Sequence, residues 1–275
     1  MQDPVRILRE ALAFQAELTG PIVPMTDAAE APEPKATEPV HASPAPSEAP
    51  PDMPSQNLFG ETTDPVIDTS ASPYERILSL IPSDSPLHAM ASLQEVSDYV
   101  ANTVLIPLDE QRINPVFGVG NPDANLLVIG EAPGADEDRQ GEPFVGRAGQ
   151  LLNKILEAIH FKREDVYIAN ILKSRPPNNR DPLPAEVEAH FPLLLKQISL
   201  IQPKLILCVG KTAGCNLLNR QTSLGSLRGK FHDFHGIETM VTYHPAALLR
   251  NQQWKRPTWE DVQLLRKRYD ELVTS

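Results

Sequence analysis

Cysteine is nearly absent: the 275 residues contain two, Cys208 and Cys215. Two thiols make neither a disulfide framework nor a four-thiolate metal site. Cys208 lies in the apolar run 205–209 and Cys215 in a helical stretch just after it, so both read as small core residues. Long apolar runs are missing as well. None approaches the roughly 18 residues that span a bilayer, and the amino terminus carries Asp3, Arg6, Arg9 and Glu10 where a secretory signal would be apolar. Together these absences predict a reduced, cytoplasmic protein with no membrane contact. A Gly-x-x-x-x-Gly-Lys phosphate cradle is also lacking, which argues against a nucleotide-binding α/β domain.

Positive charge is scarce, but unevenly so. The formal net charge is −11, and residues 21–90 hold 11 acids against two bases, Lys35 and Arg76. Residues 91–275 sum to only −1. The acidity therefore belongs to one segment, and the remainder is neutral enough to carry a local basic patch.

That segment is also where proline concentrates: 14 of the 28 prolines fall between Gly20 and Pro86, among Ala, Ser, Glu and Thr. Such a stretch buries too little apolar surface to offset its ordering entropy. Composition predicts a disordered acidic tether over 20–86, preceded by an amphipathic helix over 1–19 with Pro4 at a first helical position. The tether, including the short patch Gln56-Asn57-Leu58-Phe59-Gly60, is a candidate for docking a protein partner. A single globular domain is expected over 87–275.

Within that domain, strand and helix patterns alternate. Ser92 and Glu95 form a capping box for a helix over 92–105. Strands are expected at 126–130, 166–172 and 204–209, with paired strands at 229–234 and 238–243. Helices are expected at 148–159, 185–201, 211–219 and 257–273. This order predicts a three-layer α/β/α sandwich with a central, mostly parallel sheet.

The chain is organised around LLVIGEAPGADEDRQGEPFVGRAGQLL, residues 126–152. A buried strand ends at Gly130, a long polar turn follows, and a helix starts near Ala148. Loops of this kind lie at the carboxyl edge of a parallel sheet, where open α/β folds place their ligands. Here the loop crowds Glu131, Asp136, Glu137, Asp138 and Glu142 around one aromatic, Phe144.

GEAPGADEDRQGEPFVGRAGQLL closely resembles the first motif of the family 4 uracil-DNA glycosylases. The resemblance continues through VYIANILKSRPPNNRDP, PKLILCVGKTA, TYHPAALLRN and KRPTWEDVQLL, in order, from about Val116 to Leu265. It implies an enzyme of base-excision repair that flips uracil out of DNA and hydrolyses its N-glycosidic bond, working as a monomer. The alternative is a catalytically weak DNA- or partner-binding module of the same fold.

Base flipping needs a pocket, a stacking surface, a reader of the pairing edge and something to hold the gap. Phe144 is the candidate stacking residue, or else a core phenylalanine. Asn170 carries a donor and an acceptor that complement a uracil carbonyl and its adjacent N–H. A cytosine would leave those groups unpaired, at about 1–3 kcal/mol each. His244 is placed to hydrogen-bond the carbonyl next to the scissile bond and stabilise the departing anion. Glu131 or Glu137 would orient water, with Glu137 alternatively capping the loop. Where the wider superfamily places an aspartate, this motif has Ala132, which completes the expected uracil-binding set. In the resembled family the loop holding Leu248, Leu249 and Arg250 enters the minor groove; otherwise these are two core leucines and a surface arginine. Lys173 and Arg175, with Arg180, Lys211 and Arg228, are candidate phosphate contacts.

The resemblance breaks at one place. Family 4 enzymes hold a four-iron, four-sulfur cluster on four cysteines. Aligned by neighbouring residues, this chain has Thr103, Ile106, Ser174 and His190 there. No thiolate is among them, so no cluster and no other metal or cofactor is expected.

Overall fold

The computed structural model describes residues 71–274. The expected helix at 1–19 and most of the expected tether lie outside the described residues.

The globular domain starts earlier than composition suggested. Helix α1 (Pro73–Leu78) opens with a capping box: Glu75 N–H donates to Ser72 Oγ (3.2 Å) and Ser72 N–H to the Glu75 carboxylate (2.7 Å). Ile77, Ile81 and Leu87 are all buried in the core. Residues 71–86 are therefore part of the domain, not of the tether. Proline density concealed three apolar anchors, and Pro73 occupies a first helical turn where a missing N–H is harmless.

Six strands form one sheet in the order β1-β3-β2-β4-β6-β5. They are β1 (Val119–Gly120), β2 (Leu126–Gly130), β3 (Tyr167–Asn170), β4 (Leu205–Val209), β5 (Phe231–Phe234) and β6 (Ile237–Thr242). The four inner strands run parallel, and β1 and β5 close the edges antiparallel. Side chains alternate along the buried strands. Leu127 and Ile129 join one core cluster with Ala169, Ile206, Cys208 and Val241. Leu126 and Val128 join the other with Ile168, Leu205, Leu207 and Met240.

Each face is covered by helices, which gives the three layers. The first cluster receives Ile77 of α1, Val96 and Val100 of α2 (Leu93–Asn102), and Leu193, Leu194 and Ile198 of a later helix, α5 (Pro184–Ile201). The second receives Leu152, Ile155 and Leu156 of α4 (Arg147–Ala158) and Val262 and Leu265 of α9 (Lys255–Thr274). Three short helices, α6 (Lys211–Leu217), α7 (Leu224–Leu227) and α8 (Pro245–Arg250), complete the connections. Within the polar turn after β2, residues Ala135–Gln140 form a further helix, α3, closed by Gly141 at φ 77°.

Of the other boundaries that differ from the sequence reading, two bear on the site. Helix α2 stops at Asn102 and does not reach 105, so Thr103–Leu108 form a separate connection. β3 ends at Asn170, yet its pairing continues: Ile171 N–H donates to Gly130 O (3.0 Å) and Leu172 N–H to Glu131 O (3.1 Å). The loops after β2 and β3 are thereby tied to each other at the sheet's carboxyl edge.

Candidate active site

Gly130 ends β2 directly opposite Asn170 at the end of β3. A Cβ at Gly130 would collide with Asn170 Oδ1 and with the Phe144 ring, 2.6 Å from its Cζ. Only glycine lets the amide and the ring approach each other there. Asn170 is 1 % exposed, and among the described residues its Oδ1 has no hydrogen-bond partner. A buried, unpartnered amide oxygen in a well-packed domain is rare and calls for a ligand or water.

The Phe144 ring centroid lies 5.6 Å from that of His244. Phe144 adopts φ 55°, a left-handed conformation that costs a bulky residue of order 1–3 kcal/mol. Arg163 holds it there, Nη1 donating to Phe144 O (3.3 Å) and to Asn153 Oδ1 (3.1 Å) and Nη2 to Pro143 O (2.5 Å). Gly149, at the first turn of α4, has no side chain to strike the Phe144 carbonyl.

His244 follows β6 and caps α8. Its Nδ1 accepts the Ala246 N–H (3.1 Å), which places the proton of the neutral ring on Nε2. Burial, reinforced by the charge of Arg250 and opposed by that of Glu137, pushes its pKa down to about 4. At neutral pH the imidazole is therefore an uncharged donor.

The two candidate glutamates separate. Glu137 Oε1 accepts both Val145 N–H and Gly146 N–H at 3.0 Å, so it braces the loop that carries Phe144. Glu131 sits half-buried after β2. Burial raises its carboxyl above the usual range, a hydrogen bond from Thr212 acts against the shift, and the charge of Asp181 adds to it. Thr212, at the start of α6, escaped the sequence reading; so did Arg163 and the steric role of Gly130. Ala132 packs, partly buried, against the first core cluster beside Glu131.

A polar amide, an aromatic ring and a neutral imidazole donor thus gather at the carboxyl edge of the sheet, with the ring next to both of the others. A family model described as the Uracil DNA glycosylase superfamily matches residues 117–264. The chain belongs to this superfamily. It is 41% identical over 172 residues to a Type-4 uracil-DNA glycosylase of Archaeoglobus fulgidus, covering 60% of this chain and 86% of that protein. Another, from Thermotoga maritima, is 41% identical over 175 residues, 62% of this chain and 91% of its own length. A third, from Saccharolobus solfataricus, is 40% identical over 187 residues, 65% of this chain and 87% of its length.

Against the superfamily expectation, two DNA contacts fail on burial. Leu248 is 1% exposed and belongs to the second core cluster, whereas Leu249 is 39% exposed and Arg250 is exposed beside it. Lys173 is fully buried: its Nζ donates to Asn170 O (2.8 Å) and Gln197 Oε1 (2.5 Å). It cannot reach a phosphate. Arg175 remains partly exposed, with Nε donating to Asn179 Oδ1 (2.7 Å). Arg180 pairs with Glu186 (2.6 Å) and Arg228 with Asp261 (2.9 Å), so their charges are already engaged.

The four positions expected to stand for cluster ligands converge. All four bond to one buried ion pair, Asp109 with Arg112, whose closest atoms are 3.4 Å apart. Ser174 Oγ donates to Asp109 Oδ1, and His190 Nε2 lies 3.1 Å from the same oxygen. Ile106 N–H donates to Asp109 Oδ2 (3.3 Å), and the Thr103 carbonyl accepts from Arg112 Nη2 (3.1 Å). This donor set does not fit an iron–sulfur cluster: it offers no thiolate, and its polar atoms are spent on one another. Cys208 is buried in β4 and Cys215 in α6, neither of them in this group.

Proposed function

We propose that this chain is a cluster-independent uracil-DNA glycosylase that extrudes uracil from DNA and hydrolyses its bond to the sugar. The observation that carries the reading is the unpartnered Oδ1 of buried Asn170, which meets the Phe144 ring over Gly130, with the neutral imidazole of His244 on that same ring.

The extruded base stacks on Phe144, and the Asn170 amide pairs with its adjacent carbonyl and N–H. As the C1′–N1 bond breaks, its electron pair leaves with the base, and His244 Nε2–H donates to the carbonyl that takes up the charge. The water oxygen bonds C1′, and the proton it loses ends on the departing anion, which leaves as neutral uracil. Glu131 orients that water and offsets the positive charge on the sugar, with Thr212 steadying the carboxylate. Glu137 acts on the loop, since its Oε1 accepts two backbone N–H groups. Leu249 and Arg250, exposed at the end of α8, meet the DNA, together with Arg175.

The reading includes action as a monomer in the cytoplasm, where two free, buried cysteines suit a reducing compartment. It also assigns the acidic amino-terminal segment to a protein partner, on its composition alone.

Alkaline strand cleavage of a uracil-containing oligonucleotide tests the proposal, with a thymine-containing duplex as control. Cleavage by the wild type, weakened in Asn170→Asp and His244→Ala, supports it. Folded wild-type protein that releases no uracil would leave a DNA-binding module of the same fold.

A further inference from the structure

The ion pair between Asp109 and Arg112 does more than fill space. Asp109 is 4% exposed, and its carboxylate also accepts Leu105 N–H (2.9 Å) besides the bonds from Ser174, His190 and Ile106. Burial alone would raise its pKa, but hydrogen bonds from His190 and Ser174 outweigh that and hold the group well below the usual carboxylate range. Arg112 reaches the other way, donating to the carbonyls of Val100 and Thr103 at the end of α2. One node therefore binds α2, the connection after it, the exit of β3 and helix α5.

From this node a continuous path leads to the base-reading residue. His190 Nε2 faces Asp109, while its Nδ1 accepts the Lys173 N–H (3.0 Å). Lys173 turns its buried Nζ back onto the carbonyl of Asn170 (2.8 Å). Gln197 Oε1 accepts from the same Nζ, and Gln197 Nε2 donates to Phe117 O (3.0 Å). The Asn170 amide oxygen has no hydrogen-bond partner among the described residues, so its position depends on how firmly its backbone is fixed.

We propose that Asp109, acting through His190 and Lys173, is a positioning residue for Asn170, and that this polar node replaces a metal cluster as the clip beside the active site. The inference rests on the glycosylase reading for its kinetic consequence, but the clip itself does not. His190 is the informative position because it must accept from Lys173 and donate to Asp109 at once. Glutamine has one atom for each task; leucine of similar volume has neither.

The test compares wild type, His190→Gln, His190→Leu and Ser174→Ala, purified without oxygen and analysed for iron, by melting temperature and by single-turnover uracil release. The wild type is expected to carry no stoichiometric iron. His190→Leu should melt lower and release uracil about 10- to 100-fold more slowly, because a misplacement of about 1 Å costs up to about 100-fold. His190→Gln should recover most of both losses, which a purely volumetric role would not predict. If His190→Leu does not fold, Ser174→Ala, a smaller deletion at the same carboxylate, should show a lower melting temperature and a slower release. Iron near four per chain, or variants lacking these bonds that melt and react like the wild type, would overturn the proposal. Wild type without uracil release would remove the glycosylase reading alone; the node would then stand or fall on iron content and melting temperature.

Discussion

Arg163 grips Phe144 by the main chain, Nη1 lying 3.3 Å from its carbonyl oxygen, and so stabilises a left-handed residue from 19 positions away. Burial lowers the pKa of this guanidinium, and the charges of Glu142 and Glu137 act against that shift. Arg163→Met would free the Pro143 and Phe144 carbonyls and let the ring leave its place above Gly130. We expect kcat/KM for uracil release to fall about 10-fold, which corresponds to about 1.4 kcal/mol, with Arg163→Lys intermediate because it lacks the fork. Steady-state kinetics on a single-stranded uracil substrate would check it. An unchanged kcat/KM would show that Phe144 keeps its conformation unaided.

The Asn170 amide sets base selectivity through its donor and acceptor. Asn170→Asp replaces the amide donor by a carboxyl that is neutral only when protonated, and burial favours protonation. Uracil release should fall by at least about 100-fold, and a weak release of cytosine should appear, since the protonated acid matches cytosine's reversed pattern. Mass-spectrometric detection of freed bases distinguishes this from a general collapse of activity.

Much of this arrangement is legible in the sequence, and the failures have a common cause. The all-apolar runs of β2 and β4 announce strands, because no surface element would carry five buried residues in succession. Asn170 is conspicuous for the opposite reason, as a polar residue inside such a run. What local pattern could not show was which charges are buried. Lys173 reads as a surface base beside Arg175, yet its partners are a carbonyl at residue 170 and the side chain of Gln197, 24 residues on. Composition places the start of the domain too late because Ile77, Ile81 and Leu87 acquire their neighbours only from α5 and the rest of the core. Thr212 and Arg163 act on loops remote in sequence, and no spacing rule connects them to Glu131 or Phe144.

The pH dependence separates His244 from Glu131. With a pKa pushed down to about 4, His244 stays neutral at Nδ1 throughout the neutral range. Release should therefore show no limb near pH 6.5, where an unperturbed histidine titrates. An acid limb well above pH 4 belongs to Glu131, whose pKa is raised, and Glu131→Gln should remove that limb while lowering the plateau. Stability carries the opposite signature. The unfolded chain protonates His244 near pH 6.5 and the native state resists until about 4, so stability falls as pH drops through that interval. His244→Gln should flatten that part of the melting profile; a profile unchanged by the substitution would contradict the depressed value.

Adjacent residues on α8 should give unlike phenotypes. Leu248 is buried among the second core cluster, so Leu248→Ala should cost about 2–5 kcal/mol of stability and affect activity only through folding. Leu249 and Arg250 are exposed at the same turn and touch little of the core. Leu249→Ala should leave the stability within about 0.5 kcal/mol of wild type but weaken release from duplex more than from single strands, because only a duplex has a gap to fill. Arg250→Ala should weaken DNA binding and reduce the slope of log K against log salt by about one unit if the guanidinium meets a phosphate. Titrations at several salt concentrations measure that slope directly. A slope equal to that of the wild type would place Arg250 outside the DNA contact and leave its electrostatic effect on His244 as its role.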